Sequence, residues 1–258
     1  MATGTTGRKF LRSFFGLLIW LSRPHRGIAA FYGGGYAHLL WGRVNQAYTP
    51  RSVLDALASG IFFALKPFQS PRLFPPSHLI LHSVPTPDLL DLPIFLFDGG
   101  PDGYGPTGRT LWRVGLFSPD VGTRTKLVGE EGHNQQFIEL LAFEYAIRLA
   151  VWRGYPRVLM GSDSLVAIAQ ILRLRAGVGL KRQQRVLRSL VRLLTKSRLL
   201  IVVIWIPTAF QPGDPLSRVN AMCGGDQALA RRKALVQWGE LQDNWGETRV
   251  CGSLSLFT

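Results

Sequence analysis

Acid is what this sequence lacks. Residues 1 to 54 contain no aspartate or glutamate, and neither do residues 164 to 213, although both stretches hold many arginines and lysines. Over 258 residues, 30 Lys+Arg stand against 16 Asp+Glu, a net charge of +14, which points to a polyanionic partner, either nucleic acid or an anionic membrane surface. Cysteine is scarce too. Cys223 and Cys251 are the only two, so a disulfide framework and a cysteine zinc cluster are both excluded, and a reducing, intracellular compartment (cytoplasmic or nuclear) fits. The apolar run in "GRKFLRSFFGLLIWLSRPHRG" is too short to span a bilayer as a helix. It has the length of a signal-peptide core but no small-residue cleavage pattern, and it reads as a helix with Phe14, Leu17, Leu18 and Leu21 on one face. An N-terminal targeting role stays open.

What is present is a chain that can bury a core, with 47% hydrophobic residues. Residues 8 to 65 read as helical, interrupted by the "YGGGY" loop at 32 to 36, which has neither the Lys-Ser/Thr pair nor the preceding strand of a phosphate loop. Seven prolines between residues 66 and 93 make that stretch an extended connection, and a domain boundary is expected near residue 90. Downstream, three strands (93–98, 108–118, 123–130), with Gly-rich turn chemistry after the first, lead into a helix over 134–154. A strand (156–163), two helices and a buried strand (199–207) follow. Strands alternating with helices after a meander imply an α/β fold, a mixed five-stranded sheet with helices on its faces.

Four carboxylates fall at or near element ends on this scheme: Asp98, Glu139, Asp163 and Asp214. Asp214, in "VIWIPTAFQPGDPLSR", has two readings. Followed by proline, it reads as a helix N-cap. Alternatively it joins the other three, and four like charges in one place persist only if protonated or bound to divalent metal. Two metals held by carboxylates suit in-line phosphodiester hydrolysis. Glu144 lies five residues past Glu139, about 140° around a helix, so the two cannot share a site and Glu144 is expected in solvent.

"FLFDGGPDGYG", "IELLAFEYA", "VLMGSDSLVAI" and "VIWIPTAFQPGDPLSR" resemble the four motifs of the ribonuclease H domain of reverse transcriptases, closest to hepadnavirus polymerases and DIRS-type retroelements. The resemblance implies an RNase H-like fold over 91–220, preceded by a basic helical connection or thumb-like region with a Pro-rich linker (1–90) and followed by a partly helical tail (221–258). It further implies that Asp98, Glu139, Asp163 and Asp214 are the catalytic and metal-ligating residues for two Mg²⁺ or Mn²⁺ ions that cut the RNA strand of an RNA/DNA hybrid. Gln135 and Gln136 resemble hybrid-contacting positions, and the polymerase part of a reverse transcriptase would be a partner. The pattern departs at Gly99 and Gly100, which are expected to loosen the strand end carrying Asp98. It also has no histidine after His133.

A cationic stripe supports the nucleic-acid reading. Lys181, Arg185, Arg188, Arg192 and Lys196 recur at helical spacing, opposite Leu187, Leu190, Val191 and Leu194. Such a stripe can follow a phosphate backbone without reading sequence. Two other classes stay open: an inactive RNase H-like binding module, and a basic membrane-associated protein.

Overall fold

The computed structural model of the chain describes residues 5–7, 46–48, 87–130, 133–174, 176 and 180–254. These fall into two compact units. One holds the short strands and most of the basic helix. Thr5–Gly7 (β1) pairs antiparallel with Gln46–Tyr48 (β2). The latter is a strand inside the stretch expected to be helical, whose remainder, with the "YGGGY" loop and the N-terminal apolar run, lies outside the described residues. Lys181–Ser197 is a helix with Val186, Leu187, Leu190, Val191 and Leu194 buried.

The other unit contains a six-stranded sheet. After a single turn of helix (α1, Pro87–Leu90) come Ile94–Tyr104 (β3), Thr110–Phe117 (β4), Arg124–Gly129 (β5), Arg157–Ser162 (β6), Leu200–Trp205 (β7) and Arg249–Leu254 (β8). Their order is β5-β4-β3-β6-β7-β8. The meander β3-β4-β5 is antiparallel, β6 runs parallel to β3, β7 parallel to β6, and β8 antiparallel to β7. The β-branched and aromatic runs of β3 and β7 lie on interior strands, each flanked by a neighbour on both sides, as suits residues that are buried.

The expected five strands are all present, and the sixth, β8, comes from the tail. Its sequence, Arg-Val-Cys-Gly-Ser-Leu, has a glycine at φ +148° and little alternation, which hid it. The first strand is also longer than expected: Gly99 to Tyr104 continue the ladder against β4 instead of turning. Gly99 is there for proximity, since a Cβ at that position would stand 2.6 Å from the Ile138 carbonyl oxygen. No side chain fits between the strand and the helix that follows β5.

That helix, Gln135–Trp152 (α2), starts at Asn134, whose side chain accepts from the Phe137 N–H, and it covers one face of the sheet through Phe97 against Phe143. Leu165–Arg173 (α3) follows β6, and the basic helix is α4. Beyond β7 come Asp214–Ser217 (α5), Val219–Cys223 (α6) and Gln227–Asp243 (α7). Asp226 caps α7 by accepting from the N–H groups of Ala228 and Leu229. Ala230, Ala234 and Leu241 of α7 bury with Ile94, Leu96, Phe117, Leu159 and Ile204 in one cluster on the opposite face. By alternation along β3, Phe97 and Gly99 face α2, whereas Leu96 and Asp98 face the α5 to α7 side. An antiparallel meander, two parallel strands and helices on both faces make this the RNase H-like α/β fold expected.

Candidate active site

Three carboxylates reach the site from separate elements, and each is buried. Asp98 stands in mid β3, 3% exposed, paired with Gly115 of β4. Glu139 lies in the second turn of α2 at 7%, and Asp214 opens α5 at 8%. Asp163, half-buried, follows β6, and its carbonyl accepts from Trp205 Nε1 at 3.0 Å.

The turn carrying Asp214 is pressed against the strands by the absence of side chains. A Cβ at Gly115 would meet the Gly213 carbonyl oxygen at 2.4 Å, and one at Gly213 would meet the Asp98 nitrogen at 2.8 Å. Gln211, fully buried, fastens the same turn. It donates to the Phe97 carbonyl at 3.1 Å and accepts from the Gly213 N–H at 3.2 Å, so it joins the residues that precede Asp98 and Asp214. Asp214 is not a cap. Gly213 holds the N-cap position without a side-chain bond, which leaves the Asp214 carboxylate to pair with Arg218 Nη2 at 2.9 Å.

Hydrogen-bond donors hold the other two. The Ser217 hydroxyl donates to Asp98 Oδ2. Glu139 accepts from the Ser164 hydroxyl and, at 3.1 Å, from Gln135 Nε2, which also donates to the Gly99 carbonyl at 2.6 Å. Gln135 is therefore built into the site, whereas Gln136 is half-buried beside it in sequence.

Electrostatics ties the four acids together. Burial pushes the Asp98 carboxyl up to about 7; Asp163 and Asp214 add to the rise, while Ser217 and Arg218 oppose it. Glu139 is raised by burial and by Asp163, against the hydrogen bonds from Ser164 and Gln135. Asp214 is raised by burial and by Asp163, against Arg218. Each is thus a buried negative charge without full compensation, and Asp163 contributes to all three. Hard oxygen donors in that state suit Mg²⁺ or Mn²⁺. Yet among the described residues no three acidic, His or Cys side chains stand as a group able to hold a metal ion. Asp98, Glu139 and Asp214 are each turned onto a protein donor, Ser217, Ser164 with Gln135, and Arg218 respectively.

The remaining sequence-derived residues lie elsewhere. Glu144 is not simply solvated: its Oε1 pairs with Arg148 Nη2 at 2.6 Å, and its side chain is only 14% exposed. On α4, Lys181, Arg185, Arg192 and Lys196 are exposed and Arg188 is half-buried. Burial lowers the Arg188 pKa, and the like charges of Arg192 and Arg185 lower it further, so these three share one surface. Ser164, Gln211, Ser217 and Arg218 went unassigned by sequence reasoning. For the last two a signal existed, since positions three and four beyond Asp214 share its face on a helix.

No protein-family model matches this sequence, and no curated protein matches it. Among solved structures, the chain is similar to the N-terminal RNase H domain of rv2228c from Mycobacterium tuberculosis, determined as a fusion with maltose-binding protein, at 18% identity, TM-score 0.39, over 48% of this chain and 95% of that one. It is similar to RNase H1 from the halophilic archaeon Halobacterium salinarum NRC-1 at 21% identity, TM-score 0.40, over 50% of this chain and 96% of that one. It is also similar to LC11-RNase H1 in complex with RNA/DNA hybrid, at 17% identity, TM-score 0.41, over 55% of this chain and 99% of that one.

Proposed function

We propose that this chain is a metal-dependent ribonuclease H, hydrolysing the RNA strand of RNA/DNA hybrids. The observation that carries the reading is the burial of Asp98, Glu139 and Asp214 at converging element ends, each with raised proton affinity to which Asp163 contributes. Asp98, Glu139, Asp163 and Asp214 would hold two Mg²⁺ or Mn²⁺ ions, which supply charge neutralisation and an activated water for in-line displacement. Gln135 positions Glu139 by holding it to the Gly99 carbonyl. The α4 stripe contributes sequence-independent attraction for phosphate. The sequence resemblance supports an origin in a retroelement reverse transcriptase, with its polymerase part as partner and an intracellular location.

The test is cleavage of an RNA/DNA hybrid by the purified chain in Mg²⁺ or Mn²⁺, with EDTA and single-stranded RNA as controls. Metal-dependent cutting confined to the RNA strand of the hybrid is expected. A folded sample that cuts with neither ion overturns the enzyme reading. A second reading, a binding module without activity, is favoured by the engagement of Asp98, Glu139 and Asp214 with protein donors. It predicts hybrid binding without cutting.

A further inference from the structure

Gly100 lies two residues past Asp98 on β3, so both face the same side of the sheet. A Cβ built at Gly100 would be 3.4 Å from Arg218 Nε, 3.7 Å from Gln135 Nε2 and 3.8 Å from Ser217 Oγ. Three donor-bearing atoms therefore border the space that a side chain at position 100 would occupy. Gln135 Nε2 is engaged with Gly99 and Glu139, and Ser217 Oγ with Asp98 and the Asp214 carbonyl. Arg218 Nε differs. It is buried and has no hydrogen-bond partner among the described residues, while Nη2 of the same guanidinium holds Asp214. A buried N–H without an acceptor is costly, and a guanidinium edge matches the oxygens of a phosphate.

We propose that this recess receives a non-bridging oxygen of the phosphodiester presented to the carboxylates, with Arg218 as its ligand. The proposal deepens the ribonuclease reading and rests on it. The surrounding Asp98, Glu139 and Asp214 repel an anion, so the recess fills only after divalent cations have neutralised them. In the free chain Arg218 competes with the metal for Asp214; in the complex both edges of its fork face the phosphate. Loss of Arg218 should thus ease metal binding and impair cutting, two effects of opposite sign. An arginine that merely braced Asp214 would impair both.

The test measures Mn²⁺ binding from the metal-induced rise in melting temperature, and single-turnover hybrid cleavage at saturating Mn²⁺, on the full chain. Arg218→Gln is expected to lower the Mn²⁺ midpoint by up to about fivefold, the scale of a part-exposed ion pair, and to slow cleavage on the order of a hundredfold. Arg218→Lys should keep the wild-type midpoint and part of the rate, since it retains the charge but not the fork. Gly100→Ala adds one methyl at contact distance, so it should fold and bind Mn²⁺ as wild type while cutting about tenfold slower or worse. Full activity in Gly100→Ala, or a raised Mn²⁺ midpoint in Arg218→Gln, overturns the proposal. Should Gly100→Ala fail to fold, the two Arg218 variants decide. A wild-type chain that does not cut removes the ribonuclease reading and this one together, an outcome distinguished by the wild-type reaction alone.

Discussion

Asp214 shows how one side chain can separate two readings. Asparagine caps a helix about as well as aspartate, so a capping role would tolerate Asp214→Asn, but here Gly213 is the N-cap and the carboxylate pairs with Arg218. Asp214→Asn and Asp163→Asn are expected to fold, bind hybrid and cut roughly a hundredfold slower or worse, whereas Glu144→Gln, which weakens the pair with Arg148 away from the candidate site, cuts at the wild-type rate. Single-turnover rates beside hybrid affinities check this. Asp98 gives a pH prediction. Its folded-state pKa is raised from 3.8 to about 7. In metal-free protein its contribution to stability is full below the unfolded value and is lost as pH climbs through the folded one, because the folded state holds the proton longer. Melting temperatures in EDTA should therefore fall between about pH 5 and about pH 8 in the wild type more than in Asp98→Asn. Equal slopes would show that Asp98 ionises normally.

The prediction for α4 concerns an element's surface. Its buried stripe of Val186, Leu187, Leu190, Val191 and Leu194 fixes which way the helix faces, leaving Arg185 and Arg192 in solvent. Reversing both to Glu should weaken hybrid binding equally across sequences and reduce the salt slope by about two. Arg188 suits this test less well because it is half-buried. An unchanged slope would return the helix to a purely structural role. The elements themselves were legible in the sequence. Five of the six strands in the main sheet and α2, α3 and α4 follow from apolar periodicity and from Gly154 ending α2, since burial and hydrogen bonding act there on residues close in sequence. Gly99 and Gly100 misled because glycine signals equally a turn or the close passage of another chain segment. At Gly99 the segment is the Ile138 backbone, distant in sequence. Ser217 and Arg218 could be placed beside Asp214 by spacing, but only folding showed that Ser217 reaches across to Asp98.

For the whole molecule, the tail is part of the fold. Helix α7 contributes Ala230, Ala234 and Leu241 to the cluster that covers Leu96 and Phe117, and β8 pairs along the edge of β7. A chain ending after Cys223 would expose that cluster and leave the Asp214 turn without cover on one side. Such a truncation is expected to be insoluble or to lack a cooperative thermal transition. A soluble, cooperatively melting truncation would show the tail to be an appendage.

The bonds that close the site span much of the chain. Gln211 reaches Phe97 over 114 positions and Ser217 reaches Asp98 over 119. During synthesis the first acid of the site therefore emerges long before the residues that orient it, and the cover from α7 follows later still. Contacts so distant in sequence form late and as a unit. A nascent chain stalled before that point displays Asp98, Glu139 and Asp163 but not the turn that brings in Asp214. Completion of the candidate site therefore waits on the turn held by Gln211 and on the tail that covers it.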